Sequence, residues 1–232
     1  IMNQLFYAPD LPDSDLLPES ESHHLHRVMR METGTEIHAT DGNGSFFRLK
    51  TLGLAADRMK VELLSQKRDP HIQRPVHIAV APTKQMDRFE WLVEKCVELG
   101  AIRFSPIICA RSERRKLRID RLQRIALSAM KQSLRSRLPE IDAPMTFDAF
   151  LEHYRDKDLL LAHCEQGQKL TLNQVPKNNA PILCIGPEGD FSAEEIEKAR
   201  AKGASMIDLG NYRLRTETAA VHGCSLLAAA LR

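Results

Sequence analysis

From residue 76 onward the chain alternates short apolar runs with stretches of helical periodicity, and that alternation admits few folds. Residues 76–81, 102–109, 159–162, 182–185 and 206–209 have strand character. Between and after them, residues 85–99, 119–135, 192–201 and 217–231 read as helices. Phe89, Leu92, Val93 and Cys96 share one side of the first helix; Leu122, Ile125, Ala126, Ala129 and Ser133 share one side of the second. Gly100 stops the first helix, and Ser192 with Glu195 spells a capping box at the start of the third. Strand and helix in such alternation predict an α/β fold: a mostly parallel sheet covered by helices on both faces.

The first 65 residues follow another rhythm. Leu5-Phe6-Tyr7, 35–40, 45–52 and 58–64 have strand character, and Asp41-Gly42-Asn43-Gly44 is a strong hairpin signal because glycine and asparagine tolerate positive φ. Residues 19–30 read as a helix with Leu25, Val28 and Met29 on one side. A small β-barrel-like domain fits. Residues 66–75, polar and ending between Pro70 and Pro75, read as the linker region, which gives three segments: 1–68, 69–75 and 76–232.

Apolar residues make up 43 % of the 232 positions, enough for a real core. No window approaches the roughly 18 uninterrupted apolar residues of a membrane helix, and no basic stretch leads into an apolar one at the N-terminus; these features favour a cytoplasmic protein. The five cysteines are widely spaced without a CxxC pair, the pattern of reduced, mostly buried thiols. His23, His24 and His26 cluster, but no second ligand group follows, so no metal is expected. Net charge is only +2, yet seven basic residues fall between Arg111 and Arg124 against Glu113 and Asp120. On charge alone a solvated helix face and a phosphate-contacting surface are equally good readings.

Two segments pass from a strand into a helix, where open α/β sheets bind ligands. In Ile185-Gly186-Pro187-Glu188-Gly189-Asp190-Phe191 the glycines let backbone approach a ligand and Pro187 stiffens the turn. In Leu209-Gly210-Asn211-Tyr212-Arg213-Leu214-Arg215-Thr216-Glu217-Thr218-Ala219-Ala220 a polar loop enters a helix that Thr216 or Thr218 could cap. Arg215 and Glu217 read either as an ordinary surface pair or as a grip on a substrate.

Taken in order, these two segments resemble the bacterial 16S ribosomal RNA uracil-N3 methyltransferases, a family of the trefoil-knotted SPOUT class. His24 with Val28-Met29-Arg30-Met31, Gly34 and Asp41-Gly42 is similar to the family's N-terminal region. Lys84, Lys95, Glu98-Leu99-Gly100, Pro106, Arg111-Ser112, Gln132-Ser133 and Pro139 are similar to its central region. The likeness covers nearly the whole chain. Three features depart from it: Asp190 stands where the family often has a third glycine, Asn211-Tyr212-Arg213 differs from the commoner loop, and Lys131 replaces a frequent acidic residue.

The resemblance implies a PUA-like RNA-binding barrel, a knotted SPOUT domain with a parallel sheet, and a homodimer acting on 16S rRNA in the small ribosomal subunit. It implies S-adenosylmethionine as cofactor, held by Leu161, Ala162, Ile185, Gly186, Pro187, Glu188, Gly189, Leu209, Gly210, Leu214, Thr218 and Ala219. Arg215 and Glu217 are the candidate catalytic residues. Arg27, Arg30, Arg111, Arg114, Arg115 and Lys116 are the candidate phosphate contacts. His163 reads as structural. Competing readings are a ribose 2′-O-methyltransferase, a non-catalytic RNA-binding assembly factor, and a small-molecule enzyme.

Overall fold

A computed structural model describes residues 4–70, 72, 74–174 and 180–231. The described residues fall into two compact units. One gathers residues up to 71 together with 130–138; the other holds 72–129 and 139–232.

The first unit is built on a four-stranded sheet in the order β1 (Leu5–Tyr7), β2 (Glu36–Thr40), β3 (Ser45–Ala55) and β4 (Arg58–Arg68), with β1 parallel to β2 and the other pairs antiparallel. The hairpin falls where the glycines predict it. Gly42 and Gly44 take positive φ, and the Asp41 carboxylate accepts the N–H groups of Asn43 and Ser45. Register shifts at Arg48/Leu49 and Thr51/Gly53 leave one extra residue in β4 and one in β3, irregularities that bend a strand. The strand β4 runs to Arg68, so the expected linker region begins inside a strand.

Residues 19–30 are not one regular helix. α1 (Glu19–His23) passes into a π-helical turn at His24–Val28. The wider i→i+5 turn rotates later side chains off the expected face. Leu25 is buried, whereas Val28 is 62 % exposed. Segment 130–138 completes the unit: Leu138 N–H bonds to Gly42 O, Gly44 N–H to Ser136 O, and the Thr40 hydroxyl to Ser136 O. Lys131, the residue that departs from the family's pattern, pairs with buried Glu21 and lies 5.9 Å from the centre of the Phe6 ring.

The second unit is the expected parallel sheet. Its strands are β5 (Val76–Val80), β6 (Ala101–Ile108), β7 (Glu140–Ile141), β8 (Met145–Thr146), β9 (Leu159–Ala162), β10 (Ile182–Ile185) and β11 (Ser205–Ile207). Their order is β11-β9-β10-β5-β6-β7, with β8 also on β6 and every pairing parallel. The central strands β5 and β10 are buried along their whole length, as strands covered on both faces must be.

The helices are α2 (Met86–Leu99), α3 (Ile119–Gln132), α4 (Phe147–His153), α5 (Ala193–Ala201) and α6 (Thr216–Ala230). Successive strand residues face opposite ways. On one face, Ile182 and Cys184 join a core with Phe147, Phe150, Phe191 and Ile196 from α4, α5 and their approaches. On the other, Leu183 meets α6, whose neighbour is α2. Gly100 ends α2 at φ 111°, and the Ser192–Glu195 capping box is complete. Helix α3 stops three residues short of its expected end, and the run from Arg111 to Arg118 precedes it as loop. No helix of the described residues is long and apolar enough to cross a membrane.

A polar cluster joins β5, β6, the residue after β7 and the end of α4. His77 Nε2 is 2.8 Å from Ser105 Oγ. The carboxylate of Asp142 accepts from Ser105, from Tyr154 at 2.9 Å and from Arg103 at 2.8 Å. Burial, helped by the nearby Arg103 guanidinium, holds the His77 imidazole down at about 3. The unfolded chain therefore takes up a proton near pH 6.5 that the folded chain refuses, and stability falls as pH drops through that window. Burial pushes the Asp142 carboxyl up, but its hydrogen bonds from Arg103, Ser105 and Tyr154 outweigh this and leave it below 3.8, so its own contribution is lost only at lower pH. Urea midpoints should fall between about pH 6.5 and about pH 4 by the equivalent of a few kcal/mol. His77→Gln should flatten that slope; an unchanged slope would remove His77 as its source.

Candidate functional site

The cleft of the second unit opens at the carboxyl ends of β9, β10 and β11. It has a volume of about 670 Å³, and its walls come from residues 162–164, 185–188, Asp190 and 207–216, with Lys169 and Ala219. The wall after β11 is held by bonds within the loop and to α6. Gly210 N–H bonds to the Asp208 carboxylate at 2.9 Å, and the Leu209 carbonyl lies 3.1 Å from His222 Nε2 on α6. Thr216 does not cap α6. The N-cap is Arg215, without a side-chain cap, and the Thr216 hydroxyl donates to Gly186 O at 3.2 Å, tying the two expected loops together.

The loop after β10 is held from outside. Arg111 donates to Gly189 O at 2.9 Å and to Phe191 O at 3.2 Å. Glu188 accepts the Lys84 N–H at 2.9 Å, and Arg114 donates twice to Lys84 O. The room left by the glycines is taken by the protein itself. A Cβ on Gly186 would meet Phe191 at 3.1 Å, and one on Gly189 would meet the Arg111 side chain at 3.2 Å.

Asp190, the other departure from the family, sits at φ 62°. A residue with a Cβ is disfavoured there, but its carboxylate accepts Cys164 N–H at 2.7 Å and Phe191 N–H at 2.8 Å. It thus joins the end of β9 to the loop after β10.

Of the expected cofactor residues, Ala162, Ile185, Gly186, Pro187, Glu188, Leu209, Gly210, Leu214 and Ala219 line the cleft, as does Arg215. Leu161 is fully buried one residue behind it, and Gly189 and Thr218 lie outside its lining. Arg215 and Glu217 do not pair. Arg215 is exposed at the cleft, whereas Glu217 is buried with one oxygen 3.5 Å from Arg88 on α2. Arg114, Arg115 and Lys116 line a second hollow of about 310 Å³ with Lys84 and Glu113. Arg111 is committed to the loop, and Arg27 and Arg30 are exposed on the first unit.

Sequence reasoning set His163 aside, yet it lines the cleft, and neither ring nitrogen has a partner among the described residues. Burial, then the Lys169 ammonium, depress its basicity, so the ring is neutral near pH 7. Its position directly after β9 was the available signal. Cys164 is exposed beside it; partial burial and Asp190 raise its thiol pKa, leaving it protonated.

Comparison with known proteins bears directly on this cleft. The RNA methyltransferase domain family matches residues 70–228, and the RNA methyltransferase PUA domain family matches 17–63. Ribosomal RNA small subunit methyltransferase E from Synechocystis is 32 % identical, the match covering 88 % of this chain and 69 % of the relative. The chain belongs to the ribosomal RNA small subunit methyltransferase E family.

Solved structures agree with that membership. A probable rRNA-methyltransferase from Porphyromonas gingivalis superposes with a TM-score of 0.90 at 37 % identity, covering 99 % of this chain and 100 % of that one. The Legionella pneumophila putative methyltransferase solved with SAM gives 0.85 at 27 % identity, covering 99 % and 98 %. The expected fold class and family resemblance are therefore borne out, including the PUA-type N-terminal region.

The Asp190 geometry yields a test. Asp190→Ala keeps the disfavoured φ and loses both carboxylate bonds, and should cost about 1–3 kcal/mol. Asp190→Gly relieves the backbone and should cost less. Denaturant midpoints that rank the two variants the other way would discard this account.

Proposed function

We propose that this chain methylates N3 of a uridine in the 16S RNA of the small ribosomal subunit, with S-adenosylmethionine as methyl donor. The observation that carries the reading is a cleft of ligand-binding size at the carboxyl ends of parallel strands, with an exposed arginine, Arg215, in its lining. Its lining fits the donor. Ile185, Ile207, Leu209 and Leu214 offer apolar faces to a purine, and the peptide groups of residues 186–188 and 209–210 offer polar edges. Glu188, Asp190 and Asp208 set carboxylates beside a ligand whose sulfur and amine are cationic. When bound, S-adenosylmethionine supplies a methyl group made electrophilic by its sulfonium. The same family implies a threaded C-terminal segment, a reading supported by the insertion of β10 between β9 and β5.

The residues of the chain have two tasks. One is to hold donor and acceptor in line, a large contribution by orientation alone. The other is to ease loss of the proton that neutral uridine carries at N3. Charge then spreads over O2 and O4 of the base. Arg215 is the residue we assign to stabilise it, a role supported by its exposure at the N-terminus of α6 and its place in the cleft lining. Glu217 acts from behind, holding the start of α6 to α2 through Arg88.

The N-terminal segment 1–68 guides the RNA with Arg27 and Arg30, residues 69–75 connect it, and segment 76–232 carries the chemistry. Arg115 and Lys116, beside the loop after β10, add phosphate contacts that weaken as salt rises. The working form is a homodimer in the cytoplasm, where small subunits are assembled.

Arg215→Ala should lower turnover by about 10²–10³ while leaving the dissociation constant for S-adenosylmethionine, read by isothermal titration, nearly unchanged. Wild-type turnover in this variant would end the catalytic assignment. Nucleoside mass spectrometry of the product identifies the methylated position; a 2′-O-methyl ribose would replace the base-methylation reading.

A further inference from the structure

Tyr212 is 86 % exposed, more than any other large apolar side chain among the described residues; Val28 follows at 62 %. Such exposure on its own is ordinary. The setting is not. Tyr212 stands in the wall formed by residues 207–216, among the side chains that line the cleft. Loose backbone does not explain its position. On one side Gly210 N–H is bonded to Asp208 and the Leu209 carbonyl faces His222; on the other, Thr216 is bonded to Gly186 O. The tyrosine is thus presented from a loop anchored at both ends. Among the described residues no ring contact, hydrogen bond or ion pair engages the side chains of Tyr212, Arg213 or Arg215, and all three residues are exposed.

An aromatic ring with two unpaired guanidinium groups beside it has the chemistry of a single-stranded nucleic-acid contact. Every base offers a π face to stack on such a ring, and the cations meet phosphate. An aliphatic surface would leave both arginines desolvated without partners, which is costly. A purine of the donor already has the apolar walls of Ile185, Ile207, Leu209 and Leu214.

We infer that Tyr212 is a nucleobase-stacking subsite at the mouth of the cleft, taking an unpaired base of the RNA substrate while Arg213 contacts its phosphate. This rests on the RNA-methylation reading and adds to it a residue in a stretch that departs from the family's commoner loop.

The test is binding of small ribosomal subunits, taken from a strain lacking this methylation, to the full chain in the presence of S-adenosylhomocysteine, with no turnover required. Tyr212→Ala should weaken binding roughly five- to a hundredfold, the range expected for loss of one stacked base. Tyr212→Phe and Tyr212→Trp should restore it, because the ring and not the hydroxyl does the stacking. Affinity for S-adenosylmethionine and the sedimentation coefficient should stay at wild-type values in all three.

Unchanged subunit binding by Tyr212→Ala overturns the subsite, as does a phenylalanine variant as weak as the alanine one. So does a loss that falls on S-adenosylmethionine affinity, which makes Tyr212 a cover for the donor, or on sedimentation, which makes it a contact between copies. Wild-type chain that binds subunits but never methylates them defeats the proposed reaction and leaves the stacking result standing on its own.

Discussion

The cleft depends on how closely α6 lies against β10. A Cβ at Gly223 would come within 2.5 Å of Leu183 Cδ2, and Leu183 is fully buried in the central strand. Only a glycine lets the helix sit this low. From that seat the first residues of α6 reach the end of β10, so Thr216 can bond to Gly186 O and Arg215 stands at the edge of the cleft. Raising α6 by a methyl group would move both loops relative to each other. In a preorganised site, small misplacements are expensive.

The basic segment after β6 has a second role in the same construction. Charge patterning alone leaves a solvated face and a phosphate surface equally open, and the structure divides the residues between support and exposure. Arg111 spends its guanidinium on two carbonyls of the loop after β10, and Arg114 on the carbonyl of Lys84, whose own N–H holds Glu188. Arg115 and Lys116 remain in the hollow beside them. Support and substrate contact are adjacent on one short stretch, so a charge run cannot be assigned a single purpose from composition.

What was legible in the sequence was mostly local. Glycines mark the hairpin at residues 41–44, Ser192 and Glu195 mark a helix start, and apolar runs mark the strands, because each signal acts within a few residues. What was not legible depends on partners distant in the chain. Val28 leaves the core because a π turn changes the period. The two-residue strands β7 and β8 are too short to have a period. Arg215 and Glu217 look like partners on paper, but residues two apart at a helix start point to different sides, and Glu217 faces Arg88. His163 was passed over because a lone histidine carries no spacing pattern; only the surrounding cleft distinguishes it.

Segment 130–138 gives the N-terminal unit a timetable. Its hydrogen bonds to Thr40, Gly42 and Gly44 come from residues synthesised after 72–129. At a translation rate of about 5–20 residues per second, the hairpin tip waits several seconds for its partner segment. The N-terminal unit is therefore still incomplete after residues 72–129 of the other unit have been made, so the two units cannot fold strictly one after the other.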